Sequence, residues 1–266
     1  PSYIDLNYFP MKSAMVVLWA SVNAPRLNEL YPKVFEKTVS KNPIPALLFG
    51  GAAVKIHCPS ANCGGCLERL TTINGITNEG LPTITVLDIF CDAIDLRHKV
   101  DVRESFTSYR ENLYTIGLEN LIISKAQFIF DMPKECTEEL KKCGCDYRIL
   151  PYPYYAEDKI VVGMEEKDVK DVCAIFLDHE IGVGAENINV QKMRKILERD
   201  KKLALTVTLN LKNIVEKPDV LKKWISKGEI SKVTDRIEHL LKELPVIDKK
   251  WDKPWWNTAV ETPIIE

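Results

Sequence analysis

The 266-residue chain has almost no net charge: 36 Lys and Arg stand against 38 Asp and Glu, a formal balance of −2. A balance that close to zero gives no global field to draw nucleic acid or an anionic membrane, although a basic groove can still form locally. No apolar run approaches the roughly 18 residues that a membrane-spanning helix needs. Pro1-Ser2-Tyr3-Ile4-Asp5 lacks the pattern of an export signal, so a cytoplasmic location is expected. The chain shows neither an internal repeat nor a low-complexity tract, which excludes solenoids and disordered linkers.

What remains is ordinary for a globular protein: 45 % hydrophobic and 28 % charged residues, with length for one large or two small domains. The eight cysteines, without an export signal, favour reduced thiols or a metal site over a disulfide framework.

The chain reads as an α/β N-terminal part over residues 1–105 and a mostly helical part over 106–266. Leu27 to Ser40 has helical spacing, and Ile44 to Phe49 is an apolar strand. Gly50-Gly51 then turns the chain into a short helix carrying Ala53, Val54 and Ile56. Residues 59–82, rich in Cys, Gly, Asn and Thr, read as a loop. Ile84 to Phe90 is strand-like, and Ile94 to Val102 suits a second strand or hairpin. Leu121, Ile122, Lys125, Ala126 and Ile129 suit a helix closed by Met132-Pro133. Residues 136–162 look like an inserted loop or small hairpin. Glu165 to Glu180 is the clearest helix: Val169, Val172, Cys173, Phe176 and Leu177 make one apolar face, with Gly182 and Gly184 as terminators. Asn189 caps Val190 to Arg199, Leu203 to Val215 follows until Pro218 breaks it, and Ser231 is a cap candidate for the last helix.

Two local constellations carry chemistry. Gly50 and Gly51, between a strand and a helix, leave room for a phosphate beside helix-terminal amides, with Lys55 close by. Cys58, Cys63 and Cys66 have C-x4-C-x2-C spacing, with Cys91 as a fourth thiol. The set fits a tetrahedral zinc site, a [2Fe–2S] cluster, or free thiols. Cys136, Cys143 and Cys145 form a second, weaker group. His98 reads as a strand-edge polar residue or a cleft residue, and His179 as a partner of a helix end. Trp251, Trp255 and Trp256 either anchor a partner protein or pack back on the chain.

Several segments in order resemble the nucleotidyltransferase fold, in particular bacterial and archaeal relatives of abortive-infection-type, toxin-like nucleotidyltransferases. They are LLFGGAAVKIHCPS (47–60), TVLDIFCDAIDLRHKVDVR (85–103), LENLIISKAQ (118–127), EEKDVKDVCAIFLDHEIG (165–182) and the helical tail at 188–214. The likeness spans residues 44–245 and implies a mixed sheet with helices followed by a helical C-terminal half. It also implies transfer of a nucleoside monophosphate from an NTP with Mg²⁺ held by strand carboxylates. Mapped by motif, Gly50 and Gly51 match the phosphate turn, Asp88 the third carboxylate, and Lys125 and the Lys167-Asp168 pair helical positions facing the cleft. The family's Asp-x-Asp pair has no counterpart, for no aspartate lies between Gly51 and Asp88. Arg69 to Gly75 stands where the pair should fall, and Asn74 is neutral. Loss of two metal carboxylates should cost orders of magnitude in rate. The chain is therefore expected to bind a nucleotide, RNA or protein partner without efficient turnover. An active enzyme and an accessory subunit of a larger complex are the alternatives.

Overall fold

β-branched and aromatic runs build the first half of the molecule. A computed structural model describes residues 16–20, 46–49, 53–54, 57–58, 87–91, 93–102, 106–110, 113–152, 156–184, 186–251 and 253–259. The expected helix at 27–40 and loop at 59–82 lie outside them. Five strands form one sheet: β1 (Val16–Ala20), β2 (Ala46–Phe49), β3 (Leu87–Cys91), β6 (Phe106–Arg110) and β7 (Leu113–Ile116), in the order β3-β1-β2-β7-β6. β1, β2 and β7 run parallel, while the outer strands β3 and β6 are antiparallel to their neighbours. β4 (Ala93–Asp95) and β5 (Lys99–Asp101) make the expected hairpin as a separate two-stranded sheet. Strands beyond residue 105 thus complete the sheet begun before it, so the sheet draws on both sides of the boundary read from composition.

Helix α1 (Leu118–Ala126) follows β7 after Gly117. It ends at Ala126, short of the expected stop at Met132-Pro133. The run Phe128-Ile129-Phe130 favours extended backbone, and β8 (Phe130–Pro133) pairs antiparallel with β9 (Lys159–Val162). The region read as an inserted loop or small hairpin therefore holds helix α2 (Cys136–Lys142), a 3₁₀ turn at Asp146–Arg148 and a strand.

The remaining helices are α3 (Glu166–Asp178), α4 (Val190–Arg199), α5 (Lys201–Glu216) and α6 (Lys227–Glu243). The expected face of α3 is buried at Val169, Val172, Cys173 and Phe176. That face joins one apolar core with Ala53, Val54, Ile94, Ile116, Leu121, Val207 and Ile237, which ties the sheet side to every helix except α2. Asn189 caps α4 by accepting from the Lys192 amide, as expected. Two expected terminators differ. Ser226, not Ser231, opens α6, in a reciprocal box with Glu229. At the end of α3, Gly182 and Gly184 do not cap; the helix stops at His179, whose amide reaches the Ile175 carbonyl.

Candidate functional site

The strand register brings one expected site residue, Asp88, to the level of Phe49, the residue before Gly50. Trp19 of β1 pairs with Phe49 on one side and with Asp88 on the other. Asp88 therefore lies on the same cross-strand row as the residue preceding Gly50, two strands away and about 10 Å distant. Thr115, near the end of β7, pairs with Leu48, so the carboxyl ends of β2 and β7 share this edge. In open α/β sheets that edge is where ligands bind. Gly50, Gly51 and Lys55 themselves lie outside the described residues. The helical segment after them is described at Ala53, Val54 and His57, all buried.

His57 and His179 hold that segment in place. His57 Nε2 is 2.6 Å from the Thr115 hydroxyl on β7. The His57 carbonyl lies 2.9 Å from His179 Nε2, while His179 Nδ1 is 2.7 Å from the Glu186 carbonyl. Burial, helped by the neighbouring His179, lowers the pKa of His57 to about 4. The end of α3 is further held by Arg236 of α6. Its Nη1 donates to the carbonyls of Phe176, Leu177 and His179 at 2.8, 3.1 and 3.0 Å, and its Nη2 to Glu180 at 2.9 Å. A helix C-terminus leaves carbonyls unpaired, and a cation there satisfies both the hydrogen bonds and the dipole.

The other two expected polar residues come together at the opposite end of α3, eleven residues and about 16 Å from His179. Lys125, in the last turn of α1, lies 3.2 Å from Asp168 Oδ1 and 2.7 Å from Asp171 Oδ2. All three side chains are buried, with at most 9 % of any exposed. One cation thus faces two carboxylates away from water. Burial raises the Asp168 pKa, Lys125 opposes the rise, and Asp171 adds to it. Asp171 is not among the residues that the resemblance mapped. Its place three residues after Asp168, on the same helical face, was the signal for the triad. Lys167 instead pairs with Glu165 at 2.8 Å.

The resemblance implies two divalent ions held by strand carboxylates, and the described residues do not fit that arrangement. One acid, Asp88, lies at the row of the turn, and the two buried acids of α3 are engaged by Lys125. Among the described residues no three His, Cys, Asp or Glu side chains are placed to hold a metal ion. Cys58 is buried in the apolar core at the end of its short helix. Cys63 and Cys66 lie outside the described residues, and Cys91 is placed only by its pairing with Val16.

His98 belongs to a structural knot rather than a cleft. Its Nε2 lies 2.8 Å from the Thr206 hydroxyl, which also accepts from Trp255 Nε1 at 2.9 Å and donates to the Lys202 carbonyl at 3.2 Å. Burial lowers the pKa of His98 to about 4. Trp255 and Trp256 are buried against Leu205 and Leu209 of α5, with Trp251 packed alongside. Arg97 exchanges hydrogen bonds with the backbone of Asn257. Of the two roles read for the tryptophan tail, these contacts are those of packing on the chain's own helices.

No family model, curated protein or solved structure matches the chain.

Proposed function

We propose that the chain is a nucleotidyltransferase-fold protein that binds a nucleotide without efficient turnover. The observation that supports this reading is the row Phe49–Trp19–Asp88, which sets Asp88 level with the residue before Gly50 at the carboxyl edge of a parallel sheet segment. A glycine turn running into a helix N-terminus offers backbone amides to phosphate oxygens. Binding needs those amides and room for the phosphates. Turnover needs more: carboxylates that position two ions on the attacking and leaving oxygens. The absence of an aspartate between Gly51 and Asp88, and the engagement of Asp168 and Asp171 by Lys125, support binding over chemistry.

Two measurements separate these. Equilibrium binding of each NTP should detect a complex that Gly51→Val weakens by about tenfold, since a β-branched side chain would fill the space the phosphate needs. A transfer assay with each α-labelled NTP, Mg²⁺ or Mn²⁺, and pooled tRNA and protein acceptors should give no product. Label transfer that disappears in Asp88→Ala would establish an enzyme and overturn the proposal. Absence of any NTP complex would overturn it from the other side.

A further inference from the structure

The second cysteine group has no part in the nucleotide reading, although Cys145 packs partly against Phe130, Leu140 and Val162. Helix α2 ends in a Schellman turn: the Cys145 amide donates to the Leu140 carbonyl at 2.7 Å and the Gly144 amide to the Lys141 carbonyl at 3.1 Å. Gly144 supplies the left-handed residue this turn needs, at φ 67°, the one positive-φ glycine among the described residues. A central residue in helical backbone of either hand sets its two neighbours' Cα atoms about 5.4 Å apart. That falls inside the range of about 4.4–6.8 Å that a disulfide spans. The turn therefore sets the Cα atoms of Cys143 and Cys145 within the range a disulfide spans, and both are free thiols.

The pair is accessible to a small oxidant. Cys143 is exposed and Cys145 partly so. Neither thiol is committed to a strong partner: Cys143 Sγ donates to the Leu140 carbonyl at 3.2 Å and Cys145 Sγ to the Cys143 carbonyl at 3.6 Å. Lys223 brings its Nζ to 3.6 Å from where a Cβ on Gly144 would stand, so a cation overlooks the turn. Burial pushes the Cys145 thiol up to about 11, followed by its hydrogen bond to Cys143, with Arg148 and Lys223 acting against the rise.

We propose that Cys143 and Cys145 form a vicinal dithiol that a hydroperoxide closes to an intramolecular disulfide, with exposed Cys143 attacking and Cys145 resolving. In the first step the Cys143 sulfur bonds to a peroxide oxygen and the O–O bond breaks. The departing oxygen leaves as water or alcohol with the thiol proton, and Cys143 becomes a sulfenic acid. In the second step the Cys145 sulfur attacks that sulfur and the S–O bond breaks. The hydroxide leaves as water with the Cys145 proton. Two thiols are oxidised by two electrons and one peroxide is reduced. The site is separate from the sheet edge and does not depend on the nucleotide reading.

The test uses the folded full chain, exposed to one equivalent of hydrogen peroxide, alkylated and digested without reductant. The peptide carrying residues 143–145 should lose two hydrogen masses and resist alkylation. Cys145→Ser should stop the reaction at a sulfenic acid on Cys143, trapped by a dimedone-type reagent. Gly144→Val, which keeps both thiols but strains the turn, should slow closure by about tenfold. Both thiols remaining alkylatable after peroxide would overturn the proposal. So would either of them pairing with Cys136, or closure in Gly144→Val at an unchanged rate.

Discussion

The two ends of α3 solve the same problem with opposite charge. At its start, two buried carboxylates sit in the first turns, where the helix dipole favours anions, and Lys125 of α1 balances them. At its end, the backbone carbonyls of Phe176, Leu177 and His179 are the negative groups, and the Arg236 guanidinium meets them. The first arrangement buries full charges, with Lys125 between both carboxylates. The second neutralises partial charges with groups that stay closer to solvent, so it tolerates loss better.

That contrast breaks most sharply at Lys125. Lys125→Met leaves two carboxylates buried without their cation and should cost about 3–5 kcal/mol in urea unfolding at neutral pH. A loss under about 1 kcal/mol would mean that water reaches the triad.

Acid separates the triad from the buried histidines by sign. Asp168 has a raised pKa in the fold, so the folded state holds an extra proton above the ordinary carboxylate range. Its contribution is therefore lost as pH rises through the folded value. His57 and His98 are lowered to about 4, so between their ordinary 6.5 and 4 the unfolded chain binds the protons. Their contribution is present above 6.5 and is lost as pH falls, by about 3 kcal/mol each at pH 4. Unfolding free energies measured from pH 7 to 4 should therefore decline. His57→Gln should flatten the decline by about half, and Asp168→Asn should steepen it. A flat wild-type profile would show that the buried rings titrate normally.

Arg236→Met is the gentler break. It removes charge-assisted hydrogen bonds to three carbonyls from a side chain that stays 15 % exposed, and should cost about 2 kcal/mol. Equal losses for Arg236→Met and Lys125→Met would erase the difference between the two ends.

Much of the scaffold was readable along the chain. The apolar face of α3, the strand at Ile44 to Phe49, the 93–101 hairpin and the Asn189 cap all follow from periodicity and side-chain chemistry, which are local. The misread terminators were local too, but each had a competitor nearby. Ser226 and Ser231 both precede apolar helical positions, and only Ser226 has a glutamate three residues on to complete the box. Gly144 was overlooked as a helix end because the sequence around it read as an insertion. The strand at Phe130–Pro133 was lost to helix because a short apolar run has no period of its own; pairing with β9 decided it.

The site divides along the same line. The sequence by itself determined the glycine pair, the absence of any aspartate between it and Asp88, and the helical positions of Lys125 and Asp168, since identity and spacing need no third dimension. Only the tertiary structure decided that Asp88 shares a row with Phe49, that Lys125 takes Asp168 and Asp171 together, and that Trp255 closes on Thr206. Each of these joins residues at least thirty positions apart. Such pairings are chosen by which apolar faces bury together and which buried polar groups then find partners, a competition decided over the whole core rather than within any one segment.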